Sequence, residues 1–184
     1  MEIKTTHHDF THESNAELII LSDSHGTIHE AILGMIEPHH IVLHAGDIMD
    51  AEILVEIRKR AQAVVAVQGN NDVPGRSQPH QSELLAALPE VAYLSFEGGT
   101  IAMEHGHRIL DFDNYHGVLR AKYANARLIV FGHTHIEAMD NLQTPWVVNP
   151  GASGSTRNHG GPSCLTLSMN PEGWQIARCK FANS

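Results

Sequence analysis

Five short apolar runs in this chain end alike: each passes directly into glycine together with Asp, Asn or His. Residues 18–21 lead into Ser22-Asp23-Ser24-His25-Gly26, and residues 41–43 into His44-Ala45-Gly46-Asp47. Residues 64–67 lead into Gln68-Gly69-Asn70-Asn71-Asp72. Residues 100–103 lead into Glu104-His105-Gly106-His107, and residues 128–131 into Gly132-His133-Thr134-His135. The runs are strand-sized, and polar residues gathered where strands end mark the ligand-binding edge of an open α/β sheet. The neighbouring glycines let the backbone turn sharply and come close to whatever lies there.

In the first half, apolar runs alternate with helical patterns: 17–22 then 28–36, 41–44 then 51–61, and 63–68 then 81–88. That order predicts βαβ units and a mostly parallel sheet. The second half is richer in strands. Residues 92–96 and 100–104 flank Glu97-Gly98-Gly99, a hairpin signal, and 113–124 reads as a helix. Further strands are expected at 127–131, 146–148, 163–169 and 174–181, the last two joined by the turn Asn170-Pro-Glu-Gly173. Pairing Met169 with Trp174 would set Cys164 opposite Cys179, both expected as free thiols in a reducing compartment.

A chain of 184 residues, 42% hydrophobic and 18% charged, fits one globular domain, assigned to 17–184. Residues 1–16 are polar and aperiodic, carry His7, His8 and His12, and are expected to form a disordered or loosely docked extension. The formal net charge of -9 argues against a general nucleic-acid binder, which needs a basic face. No apolar run approaches the roughly 18 residues of a membrane helix. The N-terminus lacks the apolar core of a secretory signal, so a cytoplasmic location is expected.

Asp23/His25 and His133/His135 are i,i+2 pairs, which in extended backbone point to one side and offer two donors to one place. Asp, Asn and His without Cys suit divalent Mn, Fe, Zn or Ni. Seven candidates (Asp23, His25, Asp47, Asn70, His105, His133 and His135) exceed one tetrahedral shell and suit two metals bridged by a carboxylate. Each motif alone has a plainer reading. Ser22-Asp23 would cap the following helix, Gly46-Asp47 is a common turn, and paired loop histidines are usually exposed. Their occurrence together, in order and each after a strand pattern, favours the metal reading.

At these residues the sequence resembles the calcineurin-like metallophosphoesterases, in particular their small single-domain phosphodiesterase branch. The resemblance spans about residues 17–181 and includes Asn149-Pro150-Gly151 after the last His pair. It implies a four-layer α/β/β/α sandwich of two mixed sheets flanked by helices. By position it implies Asp23, His25, Asp47 and His135 as ligands of one metal. Asp47, Asn70, His105 and His133 would be ligands of the other, with Asp47 bridging. His107 is implied to lie near the substrate without being a ligand, and Asp72 to orient Asn70 or Asn71. The implied cofactors are two divalent ions per chain, Mn foremost, and the implied reaction is hydrolysis of a small phosphorylated substrate by a metal-bridging hydroxide. Two such ions would move the formal charge from -9 to -5 and make the pocket the most positive region of an acidic surface.

One position departs from the resemblance. Many members carry His directly after the ligand Asn, against the substrate phosphate; here that position is Asn71. An amide can hydrogen-bond a phosphate oxygen but cannot protonate a leaving alkoxide. Diesters are therefore expected ahead of monoesters, with Asn71 and His107 as substrate contacts. The alternative is a non-catalytic interaction scaffold, because the same fold serves in the retromer coat. That subunit departs from the family at the bridging Asp and ligand Asn positions, whereas Asp47 and Asn70 are intact here.

Overall fold

A computed structural model describes residues 3–76 and 79–183. The strands are β1 (Thr5–Asp9), β2 (Ala16–Leu21), β3 (His40–His44), β4 (Ala63–Ala66), β5 (Val91–Phe96), β6 (Gly99–Glu104), β7 (Leu128–Val130), β8 (Ala138–Asp140), β9 (Trp146–Asn149), β10 (Ser163–Asn170) and β11 (Gly173–Lys180). The helices are α1 (Glu30–Met35), α2 (Ala51–Arg58), α3 (Pro79–Ala86) and α4 (Tyr115–Lys122). One sheet has the order β1-β5-β6-β7-β9-β8 and the other β11-β10-β2-β3-β4. Both are mixed: β2, β3 and β4 run parallel, as do β6, β7 and β9, while hairpin partners run antiparallel.

Strand alternation sorts the apolar residues into three layers of contact. On β2, Leu18 and Ile20 join Leu43, Val65, Leu94, Met103 and Val130 between the sheets. Ile19 and Leu21 face the other way, onto Ile32 of α1 and Leu54 and Ile57 of α2. On the far sheet Ala102, Ile129 and Val147 face outward onto Tyr115 and Leu119 of α4. The central strands are apolar on both faces because both faces are covered, whereas the edge strands β1 and β11 are exposed along one face. The result is the expected α/β/β/α sandwich. Met169 pairs with Trp174 and Cys164 with Cys179, and both cysteines are free thiols.

One local expectation needs correction, and one of the plainer alternatives is excluded. Residues 5–9 of the supposedly loose extension form β1, pairing parallel with β5 from Thr5↔Val91 to Asp9↔Ser95. Ring contacts hold this strand: His7 stacks on Tyr93 at 5.0 Å and Phe10 on Phe96 at 5.2 Å. Ser22-Asp23 does not cap α1; His29 does, its Nδ1 accepting from the Ala31 N–H at 3.3 Å.

Candidate metal centre

The ends of β2, β3, β4, β6 and β7 meet at one edge of the sandwich. The donor atoms of Asp23, His25, Asp47 and His135 all lie within 4.8 Å of one another. His135 Nε2 is 3.3 Å from Asp23 Oδ1 and 3.0 Å from His25 Nε2. His25 Nε2 is 3.8 Å from Asp47 Oδ2. On the other side of Asp47, its Oδ1 is 3.4 Å from His105 Nε2. The His133 ring lies 5.3 Å from that of His105, and His133 Nδ1 is 3.1 Å from Asn70 Oδ1. The seven residues singled out from sequence thus form one cluster, with Asp47 between its two halves.

The orientation of the imidazoles is set by what surrounds them. His135 Nδ1 lies 3.1 Å from the Arg157 carbonyl and His105 Nδ1 lies 2.7 Å from the Ala45 carbonyl. A carbonyl only accepts, so each Nδ1 carries the proton and each Nε2 turns toward the carboxylates. Asp23 Oδ2 accepts from the Ser22 hydroxyl at 2.6 Å and the His133 N–H at 3.0 Å, which leaves Oδ1 toward the cluster. Asp23 Oδ1 and His105 Nε2 are buried and have no hydrogen-bond partner. Orphaned buried donor atoms are costly unless something binds them. Oxygen and imidazole donors without thiolate fit a divalent ion of the Mn-to-Zn series. The residues present therefore suit the group that the sequence implied.

Backbone conformation at the site is strained. Asp23, His25, Asp47, His133 and His135 have φ of 51°, 46°, 55°, 67° and 59°. Left-handed backbone costs a non-glycine residue roughly 1–2 kcal/mol. Asp and His tolerate it better than bulkier residues, and such strain concentrates where function requires it. Close approach is the other requirement. A Cβ on Gly132 would lie 1.9 Å from Ser22 Oγ and 2.8 Å from Asp23 Oδ2. Gly132→Ala is expected to cost about 1–3 kcal/mol through overpacking and to displace Asp23. A lowered Tm together with weaker Mn²⁺ binding would show it; an unchanged pair of values would refute the close-packing account.

Burial and neighbouring charge divide the carboxylates. Burial raises Asp23 to about 7, with His105 and the Ser22 hydroxyl opposing the shift. Burial would raise Asp47 too, but His105 and the N–H groups of Asn71 pull it well below the ordinary carboxylate range. Burial disfavours the charged form of His105, yet Asp47, Asp23 and the Ala45 carbonyl outweigh it and lift the group to about 9. His135 is lowered to about 4, first by burial, then by the charges of His25 and Arg157.

The residues expected at the substrate are placed less simply. Asn71 is buried and turned to Asp47: its N–H donates to Oδ1 at 2.8 Å and its Nδ2 to Oδ2 at 2.5 Å. Its Oδ1 accepts from Arg76. His107 is half-buried, its ring 5.6 Å from that of His105 and 6.3 Å from that of His133. Asp72 does not orient the asparagine side chains. Its carboxylate accepts the N–H groups of Ile48, Met49 and Gly69 at 2.8–2.9 Å, tying two loops by their backbones. Asn149 braces the loop that carries His133 and His135, its Nδ2 donating to the Gly132 carbonyl at 2.7 Å and to Thr134 Oγ1 at 3.0 Å. From sequence, Arg76 and Arg157, with Asn158 and His159, are plausible residues of the pocket rim that no spacing argument fixes; the Arg76–Asn71 contact and the role of the Arg157 carbonyl emerge only from the structure.

A two-sheet sandwich with Asp, Asn and His converging at one edge is the arrangement of metal-dependent phosphoester hydrolases. The profile of the calcineurin-like phosphoesterase superfamily domain matches residues 17–172, and the chain belongs to that family. A probable metallophosphoesterase of Mycoplasma pneumoniae is 27% identical over 148 residues, covering 77% of this chain and 82% of that protein. The crystal structure of a predicted phosphoesterase from Streptococcus pneumoniae superposes with a TM-score of 0.63 at 18% identity, covering 90% of each chain. The zinc complex of wild-type Vps29 from Entamoeba histolytica superposes at 0.68 with 16% identity, covering 89% of this chain and 98% of that one. These structural likenesses concern the fold. Family membership implies a phosphoester hydrolase that uses divalent metal. Among the described residues no helix is long and apolar enough to cross a membrane.

Proposed function

We propose that the protein is a metal-dependent phosphodiesterase holding two divalent cations, Mn²⁺ foremost, in the cluster around Asp47. Asp23, His25, Asp47 and His135 would hold one ion, and Asp47, Asn70, His105 and His133 the other. The observation that carries this reading is the pair of orphaned buried atoms, Asp23 Oδ1 and His105 Nε2, on the two sides of Asp47. When bound, the metals supply Lewis acidity toward the phosphate and the attacking water. The chain's own part is to fix that arrangement. Carbonyl contacts hold the tautomers of His105 and His135, and Ser22 holds Asp23. The substrate would be a small phosphorylated molecule drawn to a positive pocket on an acidic protein, encountered in the cytoplasm.

The direct test is metal analysis of the purified protein with a panel of phosphodiesters and phosphomonoesters, each with added Mn²⁺. About two ions per chain and diester turnover are expected; no turnover with any metal would favour the interaction-scaffold alternative. The likeness to Vps29 keeps that alternative in play, while intact Asp47 and Asn70 support the enzyme. Asn71→His should raise monoesterase relative to diesterase activity severalfold, because it places a proton donor where an amide stands. An unchanged ratio would remove the explanation offered for diester preference.

A further inference from the structure

Beside the cluster opens a cleft of about 390 Å³, lined by His25, Gly26, Met49, Asp50, Arg76 and Gln81. His25 is shared between the cleft and the candidate centre. Arg76 is exposed and, among the described residues, is the one Lys or Arg of this lining. Its guanidinium donates to Asn71 Oδ1, and among the described residues it has no carboxylate within 4.0 Å. This arginine is anchored by a neutral amide and makes no ion pair among the described residues, although Asp50 lines the same cleft. A guanidinium has five N–H donors in a rigid fork, so most of them are left for solvent or a ligand. Asn71 in turn spends its Nδ2 on Asp47 and its Oδ1 on Arg76. The amide that sequence reasoning placed against the phosphate is therefore committed elsewhere, and the group presented to the cleft from that direction is Arg76.

We propose that Arg76 is the residue that grips the substrate's phosphate, taking its non-bridging oxygens from the side of the cleft facing His25. The proposal rests on the phosphoesterase reading above and assigns the phosphate contact to Arg76 instead of Asn71. A charge-assisted, forked contact to a phosphate is stronger than a neutral one and is specific in geometry. Asn71 becomes the bracket that holds the guanidinium beside Asp47. The substrate class follows: a phosphate ester whose charged oxygens face the Arg76 side and whose organic group leads away past Met49 and Gln81.

The test uses the full chain loaded with Mn²⁺ and two readouts: binding of inorganic phosphate by calorimetry, and steady-state hydrolysis of bis(4-nitrophenyl) phosphate. R76A should weaken phosphate binding and raise KM about tenfold or more, with kcat changed less than threefold. Tm and Mn²⁺ affinity should be unchanged, because the side chain is exposed. R76K should recover only part of the loss, since it restores the charge and not the fork. Unchanged phosphate affinity and KM in R76A would overturn the proposal. So would a fall in Mn²⁺ affinity matching the fall in phosphate affinity, because Arg76 would then act through Asn71 on Asp47. If the parent protein hydrolyses no ester yet binds phosphate in an Arg76-dependent way, the enzymatic reading fails and the anion contact stands.

Discussion

Replacing Asp47 with alanine should remove most of the bound metal and lower kcat/KM for a phosphodiester by about 10³-fold or more. Asp47 reaches both halves of the cluster: Oδ2 is 3.8 Å from His25 and Oδ1 is 3.4 Å from His105. Asp47 also accepts both N–H groups of Asn71, so the alanine variant would loosen that loop. Asp47→Asn is the companion, since it keeps the size of the side chain and tolerates a φ of 55°. Both variants should lose metal by elemental analysis, while only the alanine variant should show a markedly lower Tm. In the metal-free alanine variant His105 should titrate below its present value of about 9, having lost the Asp47 carboxylate and keeping Asp23 as its charge partner. Two metals per chain with normal turnover in either variant would show that Asp47 is not the shared ligand.

Metal uptake at pH 7 should release roughly one to two protons per chain. His105, at about 9, is protonated in the metal-free protein at that pH, and Asp23, at about 7, is half protonated. Both must shed the proton to coordinate. Apparent affinity should fall about tenfold per unit as the pH drops from 9 to 7, and more steeply below 7 as Asp23 joins. Calorimetric titration in buffers of different ionisation enthalpy measures the release directly. Uptake without proton release would remove His105 and Asp23 from the ligand set. The same shifts act on the metal-free fold. His105 binds its proton more tightly folded than unfolded, so its stabilisation is complete below about pH 6.5 and disappears as the pH rises through about 9. Asp23 acts in the same direction between about 4 and 7. Bound Mn²⁺ should therefore raise Tm more at pH 8.5 than at pH 6.

The strand-end motifs were readable because each couples an apolar run, which announces a buried strand, to glycine and a short polar residue. That coupling places Asp23, Asp47, Asn70, His105 and His133 at one edge before any coordinate is known. β1 was hidden because Thr5–Asp9 has no apolar periodicity; it is held by pairing with β5 and by rings stacked on Tyr93 and Phe96, partners more than eighty residues away. β8 escaped for want of length, being three half-buried residues beside β9. The expected role of Asp72 failed for a plain reason. Asp72 follows Asn70 and Asn71 closely in sequence, yet two of its partners are backbone N–H groups some two dozen residues away. Spacing along one loop carries no information about which group of another loop it will meet.

The carboxylate of Asp72 clasps the turn after Asp47 and the turn before Asn70 with three N–H contacts. The two turns are consequently tied to each other through one side chain, so loss of that carboxylate should loosen both at once, while the Asn149 amide fastens Gly132 to Thr134 on the opposite side.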